Sequence, residues 1–310
     1  MKRRLVLGTL VGVGVLSMVI SAQAPQGPSA AAIKATQIEK VKDNLYIITG
    51  SGVGDTAAFS GGNVAVFITD AGVTLVDTKL PGFGPTILER IKTVTNKPVT
   101  RIINTHTHGD HTGGNPFFGA SVETIVHENT RANMAKMPEF GGANAQFVPK
   151  RTYKDKLTVG SGKDQIDLYY FGRGHTNGDT FVVFPALRTM HVGDIFAWKA
   201  LPYVDPDNGG SVVEQPVTLA KAAATVKNVD TIINGHIPVG TFNDLREYAD
   251  FTKDFVDFAR ASVKAGKTAE QAASEYKVAP RFKGYEVSAN PEFGGALANL
   301  KIAYAELGKK

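Results

Sequence analysis

His106-Thr107-His108-Gly109-Asp110-His111 packs three imidazoles and a carboxylate into six residues. An extended start puts His106 and His108 on one side of the chain. The turn at Gly109 swings Asp110 and His111 toward a neighbouring point, so four side chains of ligand type converge within one loop. Imidazole and carboxylate without sulfur suit zinc, and also iron or manganese. The chain has no cysteine, which removes thiolates from the available donors and disulfides from the fold. One loop cannot complete two metal spheres, and the sequence offers three further donors: His175 in Gly174-His175-Thr176, Asp194 after Gly193, and His236 after Gly235. Each stands where an apolar strand gives way to a glycine-containing turn, the usual place for chemistry on a rigid scaffold. His127 and His191 lack that setting. His127 reads as a strand-end hydrogen bonder and His191 as a support for Asp194. Asp77 reads either as a strand cap or as a hydrogen-bond partner of the His-rich loop.

Outward from this loop the periodicities alternate. Upstream, Asn44 to Thr49, Asn63 to Thr69 and Val73 to Asp77 read as strands of a meander, the last two joined by Asp70-Ala71-Gly72. Pro85 opens a helix with Ile87, Leu88, Ile91 and Val94 at helical spacing, and Val99 to Ile103 follows as a strand that runs straight into the loop. Gly113 and Gly114 let the chain turn into a helix with little side-chain obstruction. Downstream, Glu123 to His127, Leu157 to Val159, Gln165 to Phe171, Thr180 to Phe184, Thr189 to Val192 and Thr231 to Asn234 read as strands. Short helices are expected over Asn129 to Met137 and Pro216 to Val226. Thr241 with Asp244, and Thr268 with Gln271, are capping-box starts for C-terminal helices, and a last helix is expected near Gly295 to Glu306.

With 310 residues, 43% of them hydrophobic, the chain can bury a large core. Met1-Lys2-Arg3-Arg4, the apolar run Leu5 to Ile20 and the small residues Ser21-Ala22-Gln23-Ala24 have the layout of a secretory signal peptide over residues 1–24. Residues 25–35 are expected as a linker, and the mature protein as exported, periplasmic or secreted. Three of the five net positive charges belong to Lys2, Arg3 and Arg4. What remains is too little to suggest nucleic acid, and no second run is long enough for a membrane span. A small-molecule substrate is the partner expected.

The ordered set HxHxDH, GHT, GD and GH, with the strand end Leu75-Val76-Asp77-Thr78, resembles the metallo-β-lactamase superfamily along roughly residues 36–260. The resemblance implies an α+β fold, a four-layer αβ/βα sandwich over residues 36–260, with residues 261–310 as a C-terminal helical extension packed on it. It implies two zinc ions, with iron or manganese as other candidates. One ion would be held by His106, His108 and His175, the other by Asp110, His111 and His236, with Asp194 bridging. A solvent hydroxide between the ions is then the expected nucleophile, oriented by Asp110. Redox flavodiiron relatives carry glutamate where this chain has His108, which leans the site toward zinc. Class B β-lactamases generally carry cysteine or serine at the Asp194 position, whereas lactonases and thioesterases of the glyoxalase II type resemble this chain there.

The resemblance therefore points to a metallo-hydrolase acting on the carbonyl of a lactone, ester, thioester or β-lactam. A genuine class B β-lactamase remains open, as do an iron-dependent sulfur oxygenase and a non-catalytic metal-binding protein. Substrate contacts are expected from Gly50 to Gly62 and from Ala197 to Gln215. In the second loop Trp198 and Tyr203 could line an apolar wall and Lys199 could hold a substrate carboxylate.

Overall fold

Along Val64–Phe67 and again along Phe181–Phe184 every side chain is apolar and buried. Successive strand residues face opposite sides of a sheet, so both sheets must be covered on both faces. In the computed structural model, which describes residues 27–288 and 293–308, the contacts sort in that way. Ala65 and Phe67 meet Val182 and Phe184 between the sheets, Val64 and Val66 face Ile87 and Ile91 of a helix outside, and Phe181 and Val183 face the C-terminal helices. The result is the expected α+β sandwich of helix, sheet, sheet and helices. Residues 1–24, read as a signal peptide, lie outside the described residues apart from any structural account.

The first sheet runs in chain order: β1 (Ile38–Lys42), β2 (Leu45–Ile48), β3 (Val64–Thr69), β4 (Gly72–Val76), β5 (Val99–Ile103), β6 (Glu123–His127) and β7 (Arg151–Tyr153). The second runs β13-β12-β11-β10-β9-β8, from β8 (Lys156–Val159), β9 (Ile166–Tyr169), β10 (Phe181–Phe184), β11 (Thr189–Gly193) and β12 (Thr231–Asn234) to β13 (Gly240–Thr241). β4, β5 and β6 are parallel, as are β11 and β12. Their C-terminal ends deliver Asp77, the His-rich loop, Asp194 and His236 to one edge of the sandwich. β1, β7 and β13 were not expected from the sequence: β7 and β13 have only three and two residues, and β1 and β7 carry charged residues that hide the period of two.

Two expectations about organisation need correction. Part of the supposed linker is the helix Ala30–Ala35, capped by Ser29 and anchored by Arg90, whose guanidinium donates to the carbonyls of Thr36 and Ile33. A boundary at residue 260 would cut the 23-residue helix Phe242–Lys264. That helix starts at the Thr241/Asp244 capping box, and its Leu245, Tyr248, Phe251 and Phe255 share one core with Val192 of β11 and Leu300 of the last helix. Each such buried side chain contributes about 1.5–3 kcal/mol relative to exposure, so the C-terminal helices complete the sheet's core instead of decorating a finished domain.

Candidate metal centre

The donors fall into two groups whose ligand atoms lie within 4.8 Å of one another: His106, His108 and His175, and Asp110, His111, Asp194 and His236. Asp194 stands between the groups. Its Oδ1 is 3.1 Å from His111 Nε2, and its Oδ2 is 3.0 Å from His236 Nε2 and 3.9 Å from His175 Nε2. Asp110 Oδ2 lies 3.5 Å from His111 Nε2 and 3.4 Å from His236 Nε2. Backbone must come very close for this. A Cβ on Gly62 would collide with the His111 ring, and one on Gly235 with the Asp194 carboxylate. At Gly114 a Cβ would strike the Thr78 carbonyl, so the Gly113-Gly114 pair serves close packing under the loop as well as its turn.

Partners behind the rings decide which nitrogen faces inward. His108 Nε2 is 2.7 Å from Asp205 Oδ2, and His175 Nδ1 is 2.7 Å from the Tyr203 carbonyl. Acceptors of this kind hold the proton on those nitrogens. The lone pairs of His108 Nδ1 and His175 Nε2 then face each other at 2.9 Å. Asp77 does the same for two further rings. Its Oδ2 takes the His111 Nδ1 proton at 2.8 Å and the Thr105 hydroxyl proton at 2.7 Å, and its Oδ1 takes the Thr105 N–H. With that hydroxyl committed as donor, Thr105 Oγ1 accepts from His106 Nδ1 at 3.0 Å, which leaves His106 Nε2 buried without a protein partner. Asp194 Oδ1 likewise has no aligned hydrogen bond. Convergent imidazole lone pairs and an unsatisfied buried carboxylate oxygen repel one another unless a cation lies among them, so these residues fit one or two metal ions with nitrogen and oxygen preferences.

The two groups differ in charge. Burial, reinforced by His111 and His175, pushes His106 well below its ordinary pKa, and burial with His108 pushes His175 down to about 4. For His111, burial opposes the cation, but the carboxylates of Asp194, Asp110 and Asp77 outweigh it and raise the pKa well above normal. Burial also opposes ionisation of Asp194, and His236 and His111 overcome it, holding the carboxyl well below the usual range. His106 and His175 are thus neutral ligands, while the second group brings the carboxylates of Asp110 and Asp194, whose charge favours a multivalent cation. Asp77 and Lys79 both carry left-handed backbone, φ 68° and 62°. Such conformations cost about 1–3 kcal/mol each and concentrate at functional sites.

A cavity of ≈ 300 Å³ opens over Asp110, Asp194, His108 and His236. Val53, Phe59, Leu80, Trp198, Tyr203 and Phe293 form its apolar wall. The two expected substrate loops therefore supply Val53 and Phe59, and Trp198 and Tyr203. Lys199 does not belong with them. Its ammonium pairs with Asp244 at 2.7 Å and lies 5.6 Å from the Tyr285 ring centroid, away from the cavity, because Asp244 at the N-terminus of the long helix offers the nearer anion. His127 is the strand-end bonder expected, with Nε2 to the Lys154 carbonyl. His191 accepts from the Gly193 N–H through Nδ1 and meets the Asn63 carbonyl through Nε2, so it steadies the backbone beside Asp194. Sequence reading missed Asp205, Thr105 and the Tyr203 carbonyl. The run Asp205-Pro206-Asp207-Asn208 carries a turn signal, but nothing local connects it to a histidine 97 residues earlier.

The family model of the Metallo-beta-lactamase superfamily matches residues 58–236, and the chain belongs to that superfamily of metallo-hydrolases. It is 30% identical over 165 residues to the Metallo-beta-lactamase type 2 of Elizabethkingia meningoseptica, covering 51% of this chain and 61% of that protein. It is 32% identical over 160 residues to the 2,4-dinitroanisole O-demethylase subunit alpha of Nocardioides sp. (strain JS1661), covering 50% and 45%. The matched region thus spans less than two thirds of either relative. The stereoselective inverting sec-alkylsulfatase of Pseudomonas sp. superposes with a TM-score of 0.72 at 14% identity over 89% of this chain and 51% of that one, a likeness of fold.

Proposed function

We propose that this member of the superfamily is a dinuclear zinc hydrolase that cleaves the carbonyl–heteroatom bond of a lactone, ester or thioester. The observation that carries the reading is the pair of donor groups sharing Asp194, with the outward nitrogens of His106, His108, His175 and His111 already engaged. His106, His108 and His175 would hold one ion, Asp110, His111 and His236 the other, and Asp194 both. The donors contain imidazole and carboxylate but no sulfur, a set that suits zinc. Ions so held supply Lewis acidity toward water and the substrate carbonyl.

Asp77, Thr105, Asp205 and the Tyr203 carbonyl keep the rings from turning, so no reorganisation is needed as charge develops. Asp110 and Asp194 both line the cavity, and Asp110, which is not shared between the two groups, is the more exposed of the two. It can accept a proton from an attacking water and return it to the leaving oxygen, nitrogen or sulfur, a role worth roughly 10²–10⁴ in rate. The aromatic wall keeps bulk water from the reacting carbonyl. The export expected from residues 1–24 belongs to the same reading, and cell fractionation of the full chain checks it.

Metal analysis and a substrate panel test the proposal together. Two zinc ions per chain with turnover of a lactone, ester or thioester are expected. A single iron, or stoichiometric zinc with no turnover of any carbonyl substrate, overturns it. β-Lactam hydrolysis is the second reading, favoured by the relative of that activity's name, and nitrocefin in the same panel decides it.

A further inference from the structure

Beyond the four ionisable side chains of the donor groups, the cavity meets no charge among the described residues. Trp198 has already given its indole N–H to the Leu201 carbonyl at 3.0 Å, so the ring presents only apolar surface. Tyr203 offers a hydroxyl that burial and the carboxylates of Asp205, Asp207 and Asp110 keep protonated. Rings flank both metal-ligand groups. The Phe59 and Trp198 centroids are 5.6 and 6.0 Å from that of His236, and Tyr203 is 5.9 Å from His108 and 6.1 Å from Phe293. The two lysines nearest in sequence to this wall are committed elsewhere. Lys199 is paired with Asp244, and Lys79 is buried behind the Gly61-Gly62 loop, donating to both its carbonyls at 3.3 and 2.9 Å.

Resting on the hydrolase reading above, we infer that the part of the substrate that does not react is apolar and uncharged, and that the site takes a neutral ester or lactone bearing an alkyl or aryl arm. An arm of this kind exchanges water for Phe59, Trp198, Leu80 and Phe293. A carboxylate at the far end of that arm would lose its hydration against apolar rings, with no lysine or arginine among the described residues lining the cavity to receive it.

Two measurements on the zinc-loaded full chain test this. In the first, kcat/KM is compared across lactones with arms from ethyl to octyl and across the same lactones ending in carboxylate. We expect a rise of about fourfold per methylene until the cavity fills, and a fall of roughly tenfold or more with the carboxylate. Equal or faster turnover of the carboxylate-ended series overturns the inference. In the second, the fluorescence of Trp198, the one tryptophan in the sequence, is titrated with neutral methyl alkyl ketones of rising chain length. Affinity that tightens with each methylene is expected, and affinity indifferent to chain length overturns the inference whatever the turnover. Tightening without turnover of any lactone, ester or thioester would keep the apolar subsite and remove the hydrolase reading, so the two failures are distinct.

Discussion

The two donor groups solve the same problem in opposite ways. His106, His108 and His175 are three rings with no carboxylate among them, and each is oriented from behind by Thr105, Asp205 or the Tyr203 carbonyl. Asp110, His111, Asp194 and His236 carry their carboxylates in front, between the rings, where the charge faces the cation directly. Affinity in the first group depends on outer partners that hold the lone pairs in place. In the second it depends on charge, and a ring displaced slightly still meets an anion.

Asp77 should break both groups at once, because it receives His111 directly and His106 through Thr105. Asp77→Ala leaves buried N–H and O–H groups unpaired, and a loss of about 3–5 kcal/mol is expected. Denaturant unfolding with metal analysis should show lower stability and fewer than one ion per chain, and a wild-type metal content would refute the arrangement. Asp194→Asn comes next, since the amide retains the shape of the shared ligand but removes its charge. Metal affinity should fall more than 10–100-fold, with the rate following it, and unchanged stoichiometry and rate would show that Asp194 does not serve both groups.

Asp205→Asn acts on the first group alone. Chelator competition should become biphasic, with one ion about 10–100-fold weaker and the other unaffected. Uniform weakening of both ions would erase the distinction between the groups. The smallest effect is expected outside them: Lys199→Ala breaks a partly exposed ion pair worth about 1 kcal/mol or less and should leave KM for any carboxylate-bearing substrate unchanged. A rise in that KM would restore Lys199 to the substrate site.

Much of this centre is legible in one dimension because metal donors are few in kind and their turns need glycine. His106, His108, Asp110 and His111 come from one loop, and Gly174, Gly193 and Gly235 mark the other three donors. The sandwich was expected from the family resemblance, and the burial of its strands supplies the physical reason. Strands such as Val64–Phe67 are apolar at every position, which only a sheet covered on both faces explains. Lys199 misled because loop membership does not say which way a side chain points. Its partner Asp244 lies 45 residues on, across a junction with no local signal. The linker misled because Pro, Ala and Ser describe a flexible segment and a capped short helix equally well.

The sequence by itself determined the donor types, their order along the chain and the two-faced apolar strands, since these follow from side-chain chemistry and from periods of two and 3.6 residues. Tertiary structure alone decided which nitrogen of each histidine faces inward, which cations are spent on ion pairs, and how the cavity is walled. Those outcomes depend on contacts between residues as far apart as His108 and Asp205. Such contacts arise only once both sheets have closed on a shared core, and no local pattern records them.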